Sequence, residues 1–119
     1  KKITKSIEIV YGLRNFIGNA NKFSRETVHI NLKSDSEVTE VIIEDDGDGY
    51  PRDVLSKIGE PYLRSKNYEE NSKTGLGLGL FIGKNLLEKN FASIDFRNSK
   101  TRSGAEVIVR WKNKDLFNI

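Results

Sequence analysis

The sequence predicts a two-layer α/β sandwich, on three observations. Two segments carry apolar residues every three or four positions, near 6–23 and 78–89, as amphipathic helices do. Two pairs of short segments alternate apolar and polar residues, as half-buried strands do. The order is helix, strand pair, helix, strand pair, which lets one sheet bury one face against helices.

In the first element Ile7, Val10, Leu13, Ile17 and Ala20 form the apolar stripe, and Ser6 is placed to cap the helix. Val28, Ile30 and Leu32 then alternate with His29, Asn31 and Lys33; Val38, Val41, Ile42 and Ile43 follow the turn-like Ser34, Asp35 and Ser36. These are two strands of a hairpin. Asp45 to Gly49 is an acidic, glycine-containing turn, and Pro51 can open a short helix through Val54, Leu55 and Ile58 that Gly59 ends. Residues 60–74 are polar and aperiodic, longer than the usual ~4–6-residue connection, which suits a functional lid or disorder. A helix from about Leu78 to Lys89 presents Leu78, Ile82 and Leu86 on one side. Ala92, Ile94 and Phe96, then Val107, Val109 and Trp111, form a last strand pair around Arg102, Ser103 and Gly104.

The 119 residues are enough for one domain and one core, so residues 1–119 are expected to be a single domain. No apolar run reaches the ~20 residues of a membrane span, and the first ten residues lack the pattern of a signal peptide, so a cytoplasmic location is expected. Absence of cysteine removes disulfides, thiolate nucleophiles and sulfur-ligated metals. Twenty basic and 17 acidic residues are interspersed, giving +3, so nucleic acid is not an expected partner.

Three constellations could carry chemistry. Asn15, Asn19 and Lys22 are spaced four and three apart, which sets two amides and an ammonium on one helix face, fit for a metal and phosphates. Asparagine competes with the helix backbone for hydrogen bonds, so two on one stripe need a reason, though a solvated face would also hold them. In the second, an apolar strand runs into Asp45, Asp46, Gly47, Asp48 and Gly49. A carboxylate fixed at a strand end can accept a hydrogen bond from the exocyclic amine of adenine, with Gly47 and Gly49 letting the flat base approach. Glu44, Asp46, Asp48 and Gly49 also fit the first half of a calcium loop. Position twelve of that loop is Leu55, where a bidentate Glu is required, and a strand precedes it. The third is Gly75, Gly77 and Gly79 just before a helix, where bare backbone N–H groups and the positive helix end can cradle phosphate. The run lacks both the dinucleotide spacing and the Walker register, and glycines also let a helix pack closely.

Together, the segments LRNFIGNANKFS, IIEDDGDGYP, IGEPYLRS and TGLGLGLFIGK resemble, in order and spacing, the N-box, first glycine box, phenylalanine-box region and second glycine box of the GHKL ATPases. The chain is most similar to the ATP-binding catalytic domain of bacterial sensor histidine kinases, and the phrases GEPY, NLLEK, FRN and VRW to the RegB/PrrB group of redox-responsive kinases. The resemblance covers about Ile7 to Trp111. It implies the Bergerat fold, a mixed sheet covered on one face by helices, with 60–74 as an ATP lid and 1–5 as the linker from a histidine-phosphotransfer domain.

Carried over by position, the resemblance makes Asn19 the magnesium ligand, with Asn15 and Lys22 near the phosphates and Phe23 against the nucleotide. Asp45 would hold adenine beside Gly47 and Gly49, since the D-x-G-x-G pattern begins there. Gly75, Leu76, Gly77, Leu78, Gly79 and Leu80 would bind phosphate and act as hinge, and Arg64 or Lys66 could reach the terminal phosphate. ATP and Mg2+ are the implied cofactors. The implied partners are the histidine-containing dimerisation domain of the same kinase and a cognate response regulator. The resemblance further implies a homodimeric full-length protein at the inner membrane and a monomeric isolated domain. The acceptor histidine is expected elsewhere, because His29 alternates with Val28 and Ile30 in a strand. Water-using relatives place a general-base glutamate four residues before the metal-binding asparagine. Asn15 cannot take a proton there, so a kinase with negligible hydrolysis is expected. A serine kinase of anti-sigma factor type and a non-catalytic nucleotide sensor or docking module are the alternatives.

Overall fold

The computed structural model describes residues 7–55, 76–101 and 103–116. Their order is α1 (Ile7–Phe23), β1 (Val28–Ser34), β2 (Val38–Asp45), α2 (Arg52–Leu55), α3 (Leu76–Lys89), β3 (Ser93–Asn98), β4 (Ala105–Lys112) and α4 (Asn113–Leu116). The four strands form one sheet in the order β1-β2-β4-β3. The two-layer sandwich is present, with α1 and α3 on one face.

The expected mixed pairing is not: among the described residues all three strand pairs are antiparallel. β2 and β3 do run in the same direction, as a strand–helix–strand crossover allows. β4 folds back from β3 and inserts between them, so no parallel pair is hydrogen-bonded.

Strand alternation sorts the sheet into two faces. Val41, Ile43 and Asp45 of β2 share a face with Val107, Val109 and Trp111 of β4 and with Ile94 and Phe96 of β3. That face meets Phe16, Ala20, Leu80 and Leu87 of the helices in the core. On the other face Ile42 pairs with Ile108, both buried beside the charged pairs Arg110–Glu40 and Arg97–Glu106. His29 also lies on this face, opposite Glu44, as the strand pattern predicts.

The helices are antiparallel. Glu8 of α1 accepts from Lys89 and Asn90 at the far end of α3, 2.9 and 3.2 Å away. A Cβ on Gly12 would lie 2.6 Å from Leu87 Cγ, and one on Gly83 2.6 Å from Phe16 Cε1. These two glycines let the axes approach, and Phe16 fills the seam and stacks edge-on against Phe96 at 5.6 Å. α3 ends in a hydrogen-bonded cap: Phe91 takes a left-handed φ of 72°, and Phe91 and Ala92 donate to Glu88 and Leu87 carbonyls. The C-terminal turn α4, which the sequence pattern does not announce, is pinned by Asn113, which accepts from Thr39 and donates to the Asp35 carbonyl.

α3 begins at Leu76, so Gly77 and Gly79 lie inside the helix rather than before it as expected from the sequence. The first helical turn has no internal N–H partners to lose, so glycines there still leave donors free while the helix forms. Residues 1–5, Ser6, the stretch 60–74 with Arg64 and Lys66, and Gly75 lie outside the described residues, as do Ile58 and Gly59, where the short helix is expected to continue and end. Among the described residues no helix is long and apolar enough to cross a membrane.

Candidate functional site

A cavity of about 220 Å³ opens at the end of the sheet where α1 and β2 finish, lined by Asn19, Phe23, Asp45, Asp48, Gly49, Tyr50, Pro51 and Ala105. The helical stripe of α1 and the strand end of β2 thus bring Asn19, Phe23, Asp45 and Gly49 together, 30 positions apart in sequence at the extremes of Asn19 and Gly49.

Asp45 is the most constrained of these groups. Its residue is 3% exposed, and its Oδ1 accepts from the backbone N–H of Gly47 at 2.8 Å and of Ala105 at 3.2 Å. Two donors on one oxygen fix the carboxylate plane. Among the described residues Oδ2 has no recorded hydrogen bond, in a side chain that lines the cavity. A buried acceptor left open is costly unless something fills it, so this oxygen is shaped for a donor from outside the protein.

Glycine is required around it for reasons of space. A Cβ on Gly104 would collide with the Asp45 backbone, and one on Gly47 with the Phe23 carbonyl. Gly49 has φ of 81°, a conformation that strains other residues, and a Cβ there would lie 2.7 Å from Asn98 Oδ1. The turn therefore folds tightly back on both the end of α1 and the β3–β4 connection.

Asp46 is not among the residues lining the cavity and performs a different task. Its carboxylate accepts from the backbone N–H groups of Arg25, Glu26 and Thr27 at 2.8 to 3.2 Å, while Arg25 also pairs with Asp48. Desolvation pushes the Asp46 carboxyl upward, but the N–H groups of Glu26, Thr27 and Arg25 outweigh it and hold the group below the usual carboxylate range. This clasp ties the end of the helix bearing Asn19 and Phe23 to the turn bearing Asp45.

The remaining expected residues are arranged around this centre without lining it. Asn15 donates to the Tyr11 carbonyl at 2.8 Å, and its Oδ1 lies 3.8 Å from where a Gly79 Cβ would stand, so α1 and the start of α3 face one another there. Lys22 is exposed on the last turn of α1. Gly47 supports the turn from behind. Leu76, Gly77 and Leu78 open α3. The Leu80 side chain is 1% exposed in the core, so only its backbone could serve a ligand.

Sequence reading missed Asp48, Tyr50, Pro51 and Ala105 as lining residues. Tyr50 and Pro51 directly follow the glycine turn and Ala105 directly follows Gly104, so proximity to those glycines was the available signal. Among the described residues there is no cluster of three His, Cys, Asp or Glu side chains able to hold a metal, which leaves the calcium-loop alternative without support in its acidic turn.

The profile of a family described as histidine kinase-, DNA gyrase B-, and HSP90-like ATPase matches residues 4–115. Sensor histidine kinase RegB of Cereibacter sphaeroides is 38% identical over 124 residues, covering 92% of this chain and 27% of that protein. Sensor protein kinase PilS of Pseudomonas aeruginosa is 36% identical over 101 residues, covering 77% of this chain and 18% of PilS. The chain thus spans about a quarter or less of the length of these relatives. Among solved structures, the mycobacterial sensor histidine kinase MprB superposes with a TM-score of 0.73 at 23% identity, over 92% of this chain and 75% of that one. The profile match and the RegB identity, joined to the cavity built on Asn19 and Asp45, establish that the chain belongs to the histidine kinase-, DNA gyrase B- and HSP90-like ATPase family.

Proposed function

We propose that this chain is the ATP-binding catalytic domain of a two-component sensor histidine kinase, which passes the ATP γ-phosphate to a histidine on a separate dimerisation domain of the same kinase. The carrying observation is Asp45: a buried carboxylate lining the cavity, with Oδ1 accepting from Gly47 and Ala105 and no donor to Oδ2 among the described residues. An ionised carboxylate accepts and does not donate, so it suits the 6-amino group of adenine and disfavours the carbonyl that guanine carries there. The cavity is smaller than the ~300–1,000 Å³ typical of small-molecule sites, as suits the base end of a longer groove. The facing of Asn15 and Gly79 gives that groove a direction, along α1 toward the start of α3.

The donor set fits magnesium as well. Mg2+ in phosphoryl-transfer sites takes one or two protein oxygens and completes its shell with phosphates and water, and Asn19 supplies a hard amide oxygen at the cavity. When bound, the ion neutralises charge on the transferring phosphate. The chain's own residues do the rest. Asp45 and Phe23 orient the base, α3 offers the N–H groups of its first turn, and Lys22 brings positive charge near the phosphates. Asn15 has no proton-accepting base for water, which favours transfer to a separate nucleophile over hydrolysis. Residues 60–74, including Arg64 and Lys66, fit the place of an ATP lid, with Gly75 to Gly79 as its hinge. A cytoplasmic position in a membrane-anchored, homodimeric kinase, with residues 1–5 as the linker and a response regulator downstream, follows from the same reading.

Titrating ATP and ADP with Mg2+ into the chain and its Asp45→Asn variant tests the proposal, followed by addition of a separately prepared histidine domain. The parent should bind both nucleotides, Asp45→Asn should bind at least about tenfold more weakly, and phosphate should appear on the added histidine with little ATP consumed in its absence. No nucleotide binding by the parent would overturn the reading.

A further inference from the structure

The side chain of Asn98, at the end of β3, grips the main chain of Tyr50 at two points. Its Oδ1 accepts from the Tyr50 N–H at 2.6 Å, and its Nδ2 donates to the Tyr50 carbonyl at 3.1 Å. The two residues are 48 positions apart, and residues 49–51 lie beyond the paired registers of the sheet. Asn98 also stands against Gly49, where it leaves no room for a Cβ, so its amide and the left-handed backbone of Gly49 are fitted to one another. The Tyr50 ring is buried and meets Phe96 edge-on at 6.3 Å, which anchors the side chain while Asn98 anchors the main chain. Gly49, Tyr50 and Pro51 contribute a continuous stretch of the cavity wall, which Asn19, Phe23 and Asp45 also line.

We propose that Asn98 is a positioning residue for nucleotide binding: it sets the wall formed by Gly49, Tyr50 and Pro51 at the distance from Asp45 at which a purine ring fits. This rests on the adenine-site reading of Asp45. The amide is required because one planar group must both accept and donate within a single reach. A carboxylate keeps the acceptor for Tyr50 N–H and loses the donor, and a methyl loses both.

Because the clamp acts on the wall of the base pocket and not on the phosphates, its loss should weaken ATP and ADP alike. Calorimetric titration of both nucleotides with Mg2+ into the chain, Asn98→Ala, Asn98→Asp and Ile42→Ala reads this directly. Asn98 is solvent-exposed, which places the effect at the modest end for two hydrogen bonds: about fivefold weaker binding of each nucleotide for Asn98→Ala, with Asn98→Asp between it and the parent. Ile42→Ala, on the far face of the sheet, should lower the melting temperature and leave affinity unchanged, which separates positioning from general destabilisation. Should Asn98→Ala not fold, Asn98→Asp decides alone, with about twofold weakening of both nucleotides expected. Unchanged affinity in the Asn98 variants, a loss confined to ATP, or an equal loss in Ile42→Ala would overturn the proposal while leaving the Asp45 reading standing. A parent chain that binds neither nucleotide would overturn both.

Discussion

The turn after β2 and the seam between α1 and α3 both rely on glycine, and they use it against different neighbours. In the turn, Gly47 and Gly104 face backbone: the Phe23 carbonyl and the Asp45 main chain. In the seam, the nearest neighbours of Gly12 and Gly83 are side chains, those of Leu87 and Phe16, with the Gly12 carbonyl farther off at 3.1 Å from a Gly83 Cβ. Backbone cannot step aside without breaking the hydrogen bonds that fix Asp45, whereas a side chain can change rotamer at a cost. Glycine in the turn is therefore tied to the geometry of the candidate site, and glycine in the seam to packing.

Gly104→Ala should be the most damaging single change in this comparison. The new methyl would press on the Asp45 main chain and on Oδ1, the atom that Ala105 N–H holds. About 3 kcal/mol of stability should be lost, with nucleotide binding abolished even where the variant still folds. Chemical denaturation read beside nucleotide titration checks both parts. Retained affinity at reduced stability would show that the turn yields as the seam does, and would remove the distinction.

Gly12→Ala tests the other side. The methyl would sit 2.6 Å from Leu87 Cγ, and Leu87 is fully buried, so overpacking costs about 1–3 kcal/mol. Replacing glycine in a helix interior returns about 1 kcal/mol. A net loss of about 1 kcal/mol is expected, with nucleotide affinity within twofold of the parent. A marked loss of affinity would mean that the helix seam transmits its spacing to the cavity.

These two regions also mark how far the sequence could be read. The strand pairs were legible because alternation is local, and the turn that carries Asp45 was legible because a strand end, two glycines and four acidic residues fall within eight positions. The face that carries Asn15, Asn19 and Lys22 needed only the period of the helix, whereas a ligand role for Asn19 came from the family resemblance. What could not be read depends on contacts between distant segments. β4 inserts between β2 and β3, so a crossover that suggests parallel pairing yields none. Gly77 and Gly79 lie inside α3 because the free donors of a first turn make glycine tolerable there, which local propensity does not register. Asn98 was legible only as the last letter of the FRN phrase, with no role attached to it: an asparagine at a strand end is ordinary until the turn at Tyr50 is folded against it. Residues 60–74, with Arg64 and Lys66, lie outside the described residues, and their part in the site stays a proposal.

Asp46 sharpens the comparison through charge. Its carboxyl is held below the ordinary range by backbone donors, against desolvation. A group with a lowered folded-state value contributes stability that is fully present above its unfolded value near about 3.9 and is lost as pH falls through the lower folded value. The stability gap between the parent and Asp46→Asn should thus be constant from neutral pH to about pH 5 and close at more acid pH. Denaturation midpoints across that range measure it. A gap that persisted below both values would mean that shape, and not charge, makes the clasp.

The smallest effect, and the one of opposite sign, belongs to Gly18. It lies in α1 one residue before Asn19, on the exposed side of the helix, and a Cβ added there would meet nothing within 4 Å. With neither backbone nor side chain opposing it, Gly18→Ala should show only the intrinsic gain of alanine in a helix, a stabilisation of about 0.5–1 kcal/mol. The denaturation midpoint should rise while the slope of the transition stays the same, since little surface changes hands. If Gly18→Ala instead destabilised the chain, the face beside Asn19 would have to be covered in solution. Three tiers of glycine would then reduce to two: those whose neighbours are rigid and those whose neighbours yield.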